Sequence, residues 1–326
     1  MTITPLHPMN KIIILLGPTG VGKTEVSILL AKHLDTEIIS ADSMQIYKGM
    51  DIGTAKPSKK QREEVKHHMI DIIEPSEPYS VGRYIEDVAP IIESLHKKGK
   101  IPIVVGGTGL YIKAMTRGIF SGPSADWELR EELTALEEEQ TGALYNYLKG
   151  LDPEAANRIM PTDTRRIIRA LEVCLKTKQG ISEVQQKLTR PLPYEFIKIG
   201  ITRDRKELYR IIEERVDEMV DSGLVEEVKR ILSMNPDKIP MQAIGYKEIA
   251  MHISGDIPLD EAIHLIKRGT KRYAKRQFTW FKKEEGIHWI DMTGIYDCKE
   301  IFMRLKQFLV ASGFCNKCQN RVSRYS

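Results

Sequence analysis

Gly17-Pro18-Thr19-Gly20-Val21-Gly22-Lys23-Thr24 decides how this chain is read. The run matches G-x-x-x-x-G-K-[ST] at every fixed position. Lys11–Leu16 before it is a short apolar run that reads as a buried strand. Residues 22–34 after it have helical spacing, so the pattern sits in the strand-to-helix context it needs. Glycines let successive backbone N–H groups curl around an anionic oxygen cluster, and a helix N-terminus adds partial positive charge. Lys23 is placed to reach a distal phosphate, and the Thr24 hydroxyl to ligate Mg²⁺. The pattern specifies a polyphosphate. It does not say which one, nor that hydrolysis follows.

Outward from the loop, residues 37–41 and 101–105 read as further strands, with a helix over 84–98. Strands alternating with helices argue a parallel, doubly wound α/β sheet. From about Gly118 to Pro193 strands give way to charged amphipathic helices such as 126–140 and 163–176. Gly122-Pro123 opens this stretch and Pro191-Leu192-Pro193 closes it. It reads as an all-helical insertion. Residues 195–201 return to the sheet. The rest is expected to be helical, over 207–222, 224–233, 260–281 and 301–311. The expected organisation is a P-loop NTPase-like core in two parts, 1–119 and 194–326, around an insertion at 120–193. A chain of 326 residues has room for both. The longest apolar run near the start, Ile12 to Leu16, is too short for a membrane span or a signal-peptide core. A cytoplasmic protein with no obligate protein partner is the expectation.

An NTP-driven machine would also want an apolar strand ending in an Asp beside the metal. Asp71 follows Met69-Ile70, a poor match, and residues 101–105 end in Gly106-Gly107. Asp42 follows the strand at 37–41 and so sits at a carboxyl end, where open α/β sheets bind ligands. It reads either as a base that takes a proton from an acceptor or as a turn aspartate. A small-molecule kinase using the same loop, with Asp42 activating a hydroxyl, is the rival enzyme reading. A non-catalytic RNA-binding protein is a third, against which the intact Lys23, Thr24 and Asp42 argue.

The stretch from Asp42-Ser43-Met44-Gln45-Ile46-Tyr47-Lys48-Gly49 to Lys56-Pro57 resembles the signature of tRNA dimethylallyltransferases. So do Gly106-Gly107-Thr108-Gly109-Leu110-Tyr111, residues 241–248 and residues 273–281. With the glycine-rich loop these motifs run from about residue 17 to 281 in the family's order. The resemblance implies that the loop holds the pyrophosphate of dimethylallyl diphosphate, with Mg²⁺. It implies that Asp42 is the general base for the exocyclic amine of adenine, with Thr108 near both substrates. It implies that Lys23, Mg²⁺ and Arg215 stabilise the leaving group, an electrostatic task that often dominates catalysis. On spacing alone, Leu208, Ile212, Arg215 and Met219 share one helical face. There Arg215 either meets a buried anion or snorkels to a neighbour such as Glu218.

Between Lys267 and Lys283 there are eight Lys/Arg and no acid. Lys267, Lys271 and Lys275 repeat every four residues, as do Arg268, Arg272 and Arg276. On a helix the two rows form one basic stripe, interleaved with Tyr273, Phe278, Trp280 and Phe281. A phosphate-backbone contact surface is the reading. The family resemblance adds Arg130, the segment Arg165-Arg166-Ile167-Ile168-Arg169 and Gln242 as tRNA contacts. It implies an anticodon stem-loop gripped between insertion and core. The target is the adenosine 3′ of the anticodon, flipped into a channel lined by Asp42, Ser43, Met44 and Gln45, with Gln45 able to pair an adenine edge. Arg165 stands where the family usually has Gln, and Val216 where many members have Phe.

Two smaller features are read as structural. Cys315 and Cys318 form a C-x-x-C with no second pair, so a tail with two thiols is favoured over half a zinc site. His67-His68 point apart on a strand, with no third ligand near in sequence.

Overall fold

The apolar run ahead of the glycine-rich loop becomes an inner strand of a six-stranded sheet. The computed structural model describes residues 10–120, 122–123 and 125–312. It begins with β1 (Lys11–Leu16), α1 (Lys23–Leu34), β2 (Ile38–Ala41), α2 (Lys59–Glu64) and β3 (His67–His68). Then come α3 (Val81–Lys97), β4 (Ile103–Gly106) and α4 (Gly109–Arg117). A helical stretch follows: α5 (Trp127–Glu139), α6 (Ala143–Leu151), α7 (Pro153–Arg158), α8 (Thr164–Thr177) and α9 (Ile181–Leu188). The sheet resumes with β5 (Glu195–Thr202), α10 (Arg205–Asp221), α11 (Leu224–Leu232), α12 (Lys238–Met241) and α13 (Tyr246–Ile253). The chain continues through α14 (Leu259–Phe281), β6 (Ile287–Asp291) and α15 (Cys298–Ala311).

The strand order is β3-β2-β4-β1-β5-β6, and every neighbouring pair is parallel. Ile12 to Leu16 are fully buried. A strand covered on both faces reads as a continuous apolar run, which is what the chain supplies. Strand β6 corrects the expectation of helix alone after residue 201. It is a five-residue edge strand with only Ile290 buried, so it carries little apolar signal.

Two compact units result, Lys113–Leu192 and the residues before and after it. In the first, one core cluster joins the sheet residues Ile13, Leu15, Ile103 and Ile199 to Leu30 of α1 and Leu305 of α15. A second gathers Tyr47, Met50, Val216, Leu224, Tyr246 and Ile266. In the helical unit, Leu133, Leu144, Leu148, Ala155, Ile167 and Leu171 pack together. Three of its helices, α5, α7 and α8, start at side-chain caps. Asp126 accepts from the Leu129 N–H, Asp152 from Ala155 and Asp163 from Arg166. Such caps are worth about 1 kcal/mol each.

His67 Nδ1 lies 2.7 Å from the Val65 carbonyl and His68 Nε2 lies 2.7 Å from Glu37. The two rings make separate local contacts, and no group of metal-binding side chains occurs among the described residues. Asp71 is held by Lys56 at 2.5 Å and Arg62 at 2.6 Å, a structural pairing. Cys315 and Cys318 lie outside the described residues. No helix among them is long and apolar enough to cross a membrane.

What positions the site is the order β2-β4-β1. These strands are adjacent and parallel, so their carboxyl ends share one edge. Asp42 follows β2, Gly107-Thr108 follows β4, and Gly17 follows β1.

Candidate active site

The loop after β1 passes through φ of 81° at Gly20 and 93° at Gly22, left-handed conformations that glycine adopts without Cβ strain. Gly22 caps α1 without a side chain, so the first-turn N–H groups stay available to an anion. Lys23 Nζ donates to the carbonyls of Gly17 at 2.9 Å and Pro18 at 2.7 Å. Burial pulls the Lys23 amine down to about 8, with Asp42 opposing and Arg215 reinforcing the shift. The Thr24 hydroxyl is partly exposed beside it and has no hydrogen bond among the described residues. Among the described residues no group of three or more metal-binding side chains occurs, and Thr24 is the residue whose free hydroxyl could meet an Mg²⁺ ion.

Across the edge, Asp42 Oδ1 accepts from the N–H of Met44 at 2.9 Å and of Gln45 at 3.4 Å. The turn reading and the base reading therefore coexist, because one oxygen closes the turn and Oδ2 is left over. Burial raises the Asp42 carboxyl above its ordinary range, against the pull of those two N–H groups, Lys23 and Arg215. Thr108 joins the strand ends. Its N–H donates to Ala41 O at 3.2 Å, and its Oγ1 accepts from the Ser43 N–H at 3.1 Å.

Arg215 sits on α10 with its charge felt at both Lys23 and Asp42. Burial lowers its pKa, and Glu25, Glu218 and Asp42 offset that. No ion pair to Glu218 forms among the described residues, so the snorkelling alternative is not the observed arrangement. The expected stripe needs correction, however. The buried face of α10 is Leu208, Ile212 and Val216, with Arg215 on its flank.

Two site residues escaped the sequence reading. Gln277 of α14 is 6% exposed; its Oε1 accepts from the Thr19 N–H at 2.9 Å and its Nε2 donates to Gly107 O at 2.9 Å. The Tyr273 side chain, one turn earlier, lies close enough to Asp42, Gln277 and Thr108 to feel all three; burial raises its pKa well above the usual phenol range. The available signal was a polar residue in an apolar stripe, since Gln277 shares the buried face of α14 with Ala262, Ile266, Ala274 and Phe281. Gln45 is corrected in the opposite sense. Its Oε1 accepts from Ser40 at 3.1 Å and its Nε2 donates to the carbonyls of Thr54 and Ala55. The carboxamide assigned to an adenine edge is thus occupied within the fold. Ser43 and Met44 remain partly exposed beside it.

A family model described as IPP transferase matches residues 45–284. The chain belongs to the IPP transferase family. It is 58% identical to a tRNA dimethylallyltransferase of Thermodesulfovibrio yellowstonii, over 92% of this chain and 99% of that one. A tRNA dimethylallyltransferase of Thermotoga maritima is 48% identical, over 92% and 98%. Among solved structures, a tRNA isopentenylpyrophosphate transferase of Bacillus halodurans matches with 41% identity and a TM-score of 0.69, over 95% of this chain and 98% of that one. A eukaryotic dimethylallyltransferase acting on tRNA matches at 30% identity and a TM-score of 0.78, over 94% and 79%. The kinase reading gains no support from these matches.

Within this member of the IPP transferase family, the arginines of the helical unit divide by exposure. Arg165 and Arg166 are exposed on α8. Arg130 and Arg169 are instead turned onto Glu172, whose side chain is fully buried. Arg130 binds it through Nε at 2.9 Å and Nη2 at 2.8 Å, while lying over the Trp127 ring. Burial alone would raise the Glu172 carboxyl, but Arg130, the Asp126 N–H and Arg169 together hold it below the usual carboxylate range. Ile167 is 1% exposed and belongs to the core, which corrects its assignment as an RNA contact; Ile168 is partly buried.

The basic stripe of α14 is also reshaped. Lys267 pairs with Asp217 at 2.6 Å, and Lys271 pairs with Glu213, both acids being on α10. Two lysines of the stripe are therefore already matched by acids of the neighbouring helix. Arg268, Arg272, Lys275 and Arg276 stay exposed without an ion pair among the described residues. Arg268, Arg272 and Lys275 rim a groove of about 390 Å³ over Tyr209 and Arg205. Gln242 is exposed at the end of α12.

Proposed function

We propose that this chain transfers a dimethylallyl group from dimethylallyl diphosphate to the exocyclic amine of the tRNA adenosine on the 3′ side of the anticodon, releasing pyrophosphate. The observation that carries the reading is the placement of Asp42, its carboxyl raised by burial, across one sheet edge from Lys23 and the α1 N-terminus. A diphosphate held by the loop amides from Gly20 to Thr24 puts its allylic carbon toward that edge. The adenine nitrogen attacks this carbon, the C–O bond to the diphosphate breaks, and the amine proton passes to Asp42 Oδ2. Lys23 and Arg215 meet the charge that develops on the leaving oxygen. Mg²⁺ on Thr24 would supply further positive charge to the same phosphates. Thr108 fixes Ser43, and so the Asp42 turn, relative to β4.

Lys275, Arg276, Arg165 and Arg166 are the cations placed to meet RNA phosphates, being exposed and basic.

The test is incubation with dimethylallyl diphosphate, Mg²⁺ and unmodified bulk tRNA, without ATP, followed by mass spectrometry of nucleosides. A prenyl increment on the adenosine beside the anticodon is expected. No increment, with ATP consumed in a parallel incubation that supplies it, would return the kinase reading to first place. In an Asp42→Asn variant, whose Oδ1 can still accept from Met44 and Gln45, transfer is expected to be lost while tRNA affinity stays within about twofold.

A further inference from the structure

We infer that Gln277 is a positioning residue, a single buried carboxamide that locks the diphosphate loop to the acceptor side of the site. The inference rests on the transfer reading above.

One polar side chain touches both halves of the machinery. Its Oε1 accepts from Thr19 N–H in the loop, and its Nε2 donates to Gly107 O at the end of β4, both at 2.9 Å. The orientation is fixed by chemistry, because turning the amide over would set donor against donor and acceptor against acceptor. From Gly107 the chain leads directly to Thr108, which holds Ser43 beside Asp42. Gln277 therefore adds a side-chain bridge from loop to base beside the strand ladder that already joins β1 to β4. Thr19 N–H is engaged by Gln277, so it does not contribute to the anion cradle; its hydrogen bond shapes the loop whose later amides do.

Gly107 is matched to this role. A Cβ there would lie 2.2 Å from Gln277 Nε2, so any side chain would expel the carboxamide. Two residues on, a Cβ at Gly109 would lie 2.3 Å from Trp280 Nε1. The glycines of this turn thus admit two side chains of α14. That helix also carries Lys275 and Arg276 on its exposed face.

Gln277 contacts neither reacting atom, so its loss is expected in the rate of transfer rather than in binding. A misplacement of about 1 Å between reacting groups can cost about 10²-fold. In Gln277→Leu, kcat is expected to fall about 10- to 100-fold, with KM for dimethylallyl diphosphate and Kd for tRNA changed less than about threefold. Gln277→Glu supplies a readout that a packing role would not move. Its carboxylate can accept from Thr19 but cannot donate to Gly107 O, whereas the protonated acid can do both. The ratio of its kcat to that of the parent enzyme is therefore expected to climb as pH falls from about 8 to about 6. A ratio flat with pH, or a Gln277→Leu enzyme with kcat within twofold of the parent, would overturn the inference. A parent enzyme that transfers no prenyl group at all would instead overturn the transfer reading, and the two failures are separable in one set of assays.

Discussion

Tyr246 donates its hydroxyl to Glu227 at 2.6 Å, and Glu227 spends the rest of its carboxylate on the loop that follows the Asp42 turn. The N–H groups of Asp51, Ile52 and Gly53 all point at its two oxygens, at 2.8–3.0 Å. Glu227 is 3% exposed, so α11 offers a buried anion that the loop meets with backbone donors, with Arg230 beside it at 3.9 Å. Burial, reinforced by Glu227, drives the Tyr246 phenol far above its usual range, so it stays a donor. Tyr246→Phe is expected to cost about 1.5–3 kcal/mol, the range for a hydrogen bond to a charged group. Glu227→Ala should cost more, since every donor loses its acceptor. Urea midpoints at unchanged slope would measure both. Equal stability of the Tyr246→Phe and parent proteins would refute the view that this contact holds the loop.

The titrations of Asp42 and Lys23 bracket activity. Asp42 must be ionised to accept a proton, and burial raises its pKa, so the acid limb of kcat/KM should lie above the ordinary carboxylate range. Lys23 must be protonated to meet the diphosphate, and its pKa is about 8, so activity should fall as pH rises through that value. The profile is expected to be a bell. Lys23→Arg keeps its charge throughout, so its alkaline limb should move upward even if the plateau drops. An alkaline limb that stays put in that variant would assign it to another group.

The parts of this site that can be read along the chain are those whose signal is local. Gly17 to Thr24, the buried run of β1 and the strand-end positions of Asp42 and Thr108 each depend on a few consecutive residues. The rest depends on partners far away in sequence. Arg130 looks like a free cation until Glu172 is folded against it, and Lys271 until α10 brings Glu213 across. Gln45 looks available until Thr54 and Ala55 curl over it. Gln277 looks like one more polar residue in a basic helix until its neighbours on the buried face are counted. Strand β6 was missed for a plainer reason. His288 and Asp291 are exposed on an edge, so the strand lacks the apolar run by which β1 is recognised.

Glu172 governs the helical unit. A buried carboxylate held by two arginines is costly to strip of both, because that leaves its charge without a cation. The double variant Arg130→Ala/Arg169→Ala is therefore expected to destabilise the protein by about 3–5 kcal/mol, and Arg130→Ala, which leaves Arg169 in place, by less. Arg165→Ala and Arg166→Ala, at exposed positions, should stay within about 0.5 kcal/mol. The folded carboxyl lies below the unfolded one, so its stabilisation is present at neutral pH and is lost as pH falls through the depressed value. Glu172→Gln should flatten that part of the stability profile. If Arg130→Ala melts like the parent while tRNA binding weakens, Arg130 acts on RNA and not on the fold.

Salt dependence separates the cations of α14 that are free from those already paired. Each lysine or arginine that neutralises a phosphate releases counterions, so its loss makes log Kd against log salt shallower by about 1. Lys275 and Arg276 are exposed and unpaired among the described residues, so Lys275→Ala and Arg276→Ala should each weaken tRNA binding and flatten the slope. Lys267 and Lys271 face Asp217 and Glu213, whose charge already balances theirs. Removing either lysine leaves an uncompensated acid beside the groove. Lys267→Ala and Lys271→Ala should therefore weaken binding through repulsion, and the double variant Lys267→Ala/Asp217→Ala should recover most of the loss. An undivided basic stripe predicts otherwise, with the four single variants equivalent and the double variant no better than Lys267→Ala. Fluorescence anisotropy of an anticodon stem-loop across a salt series would decide between the two.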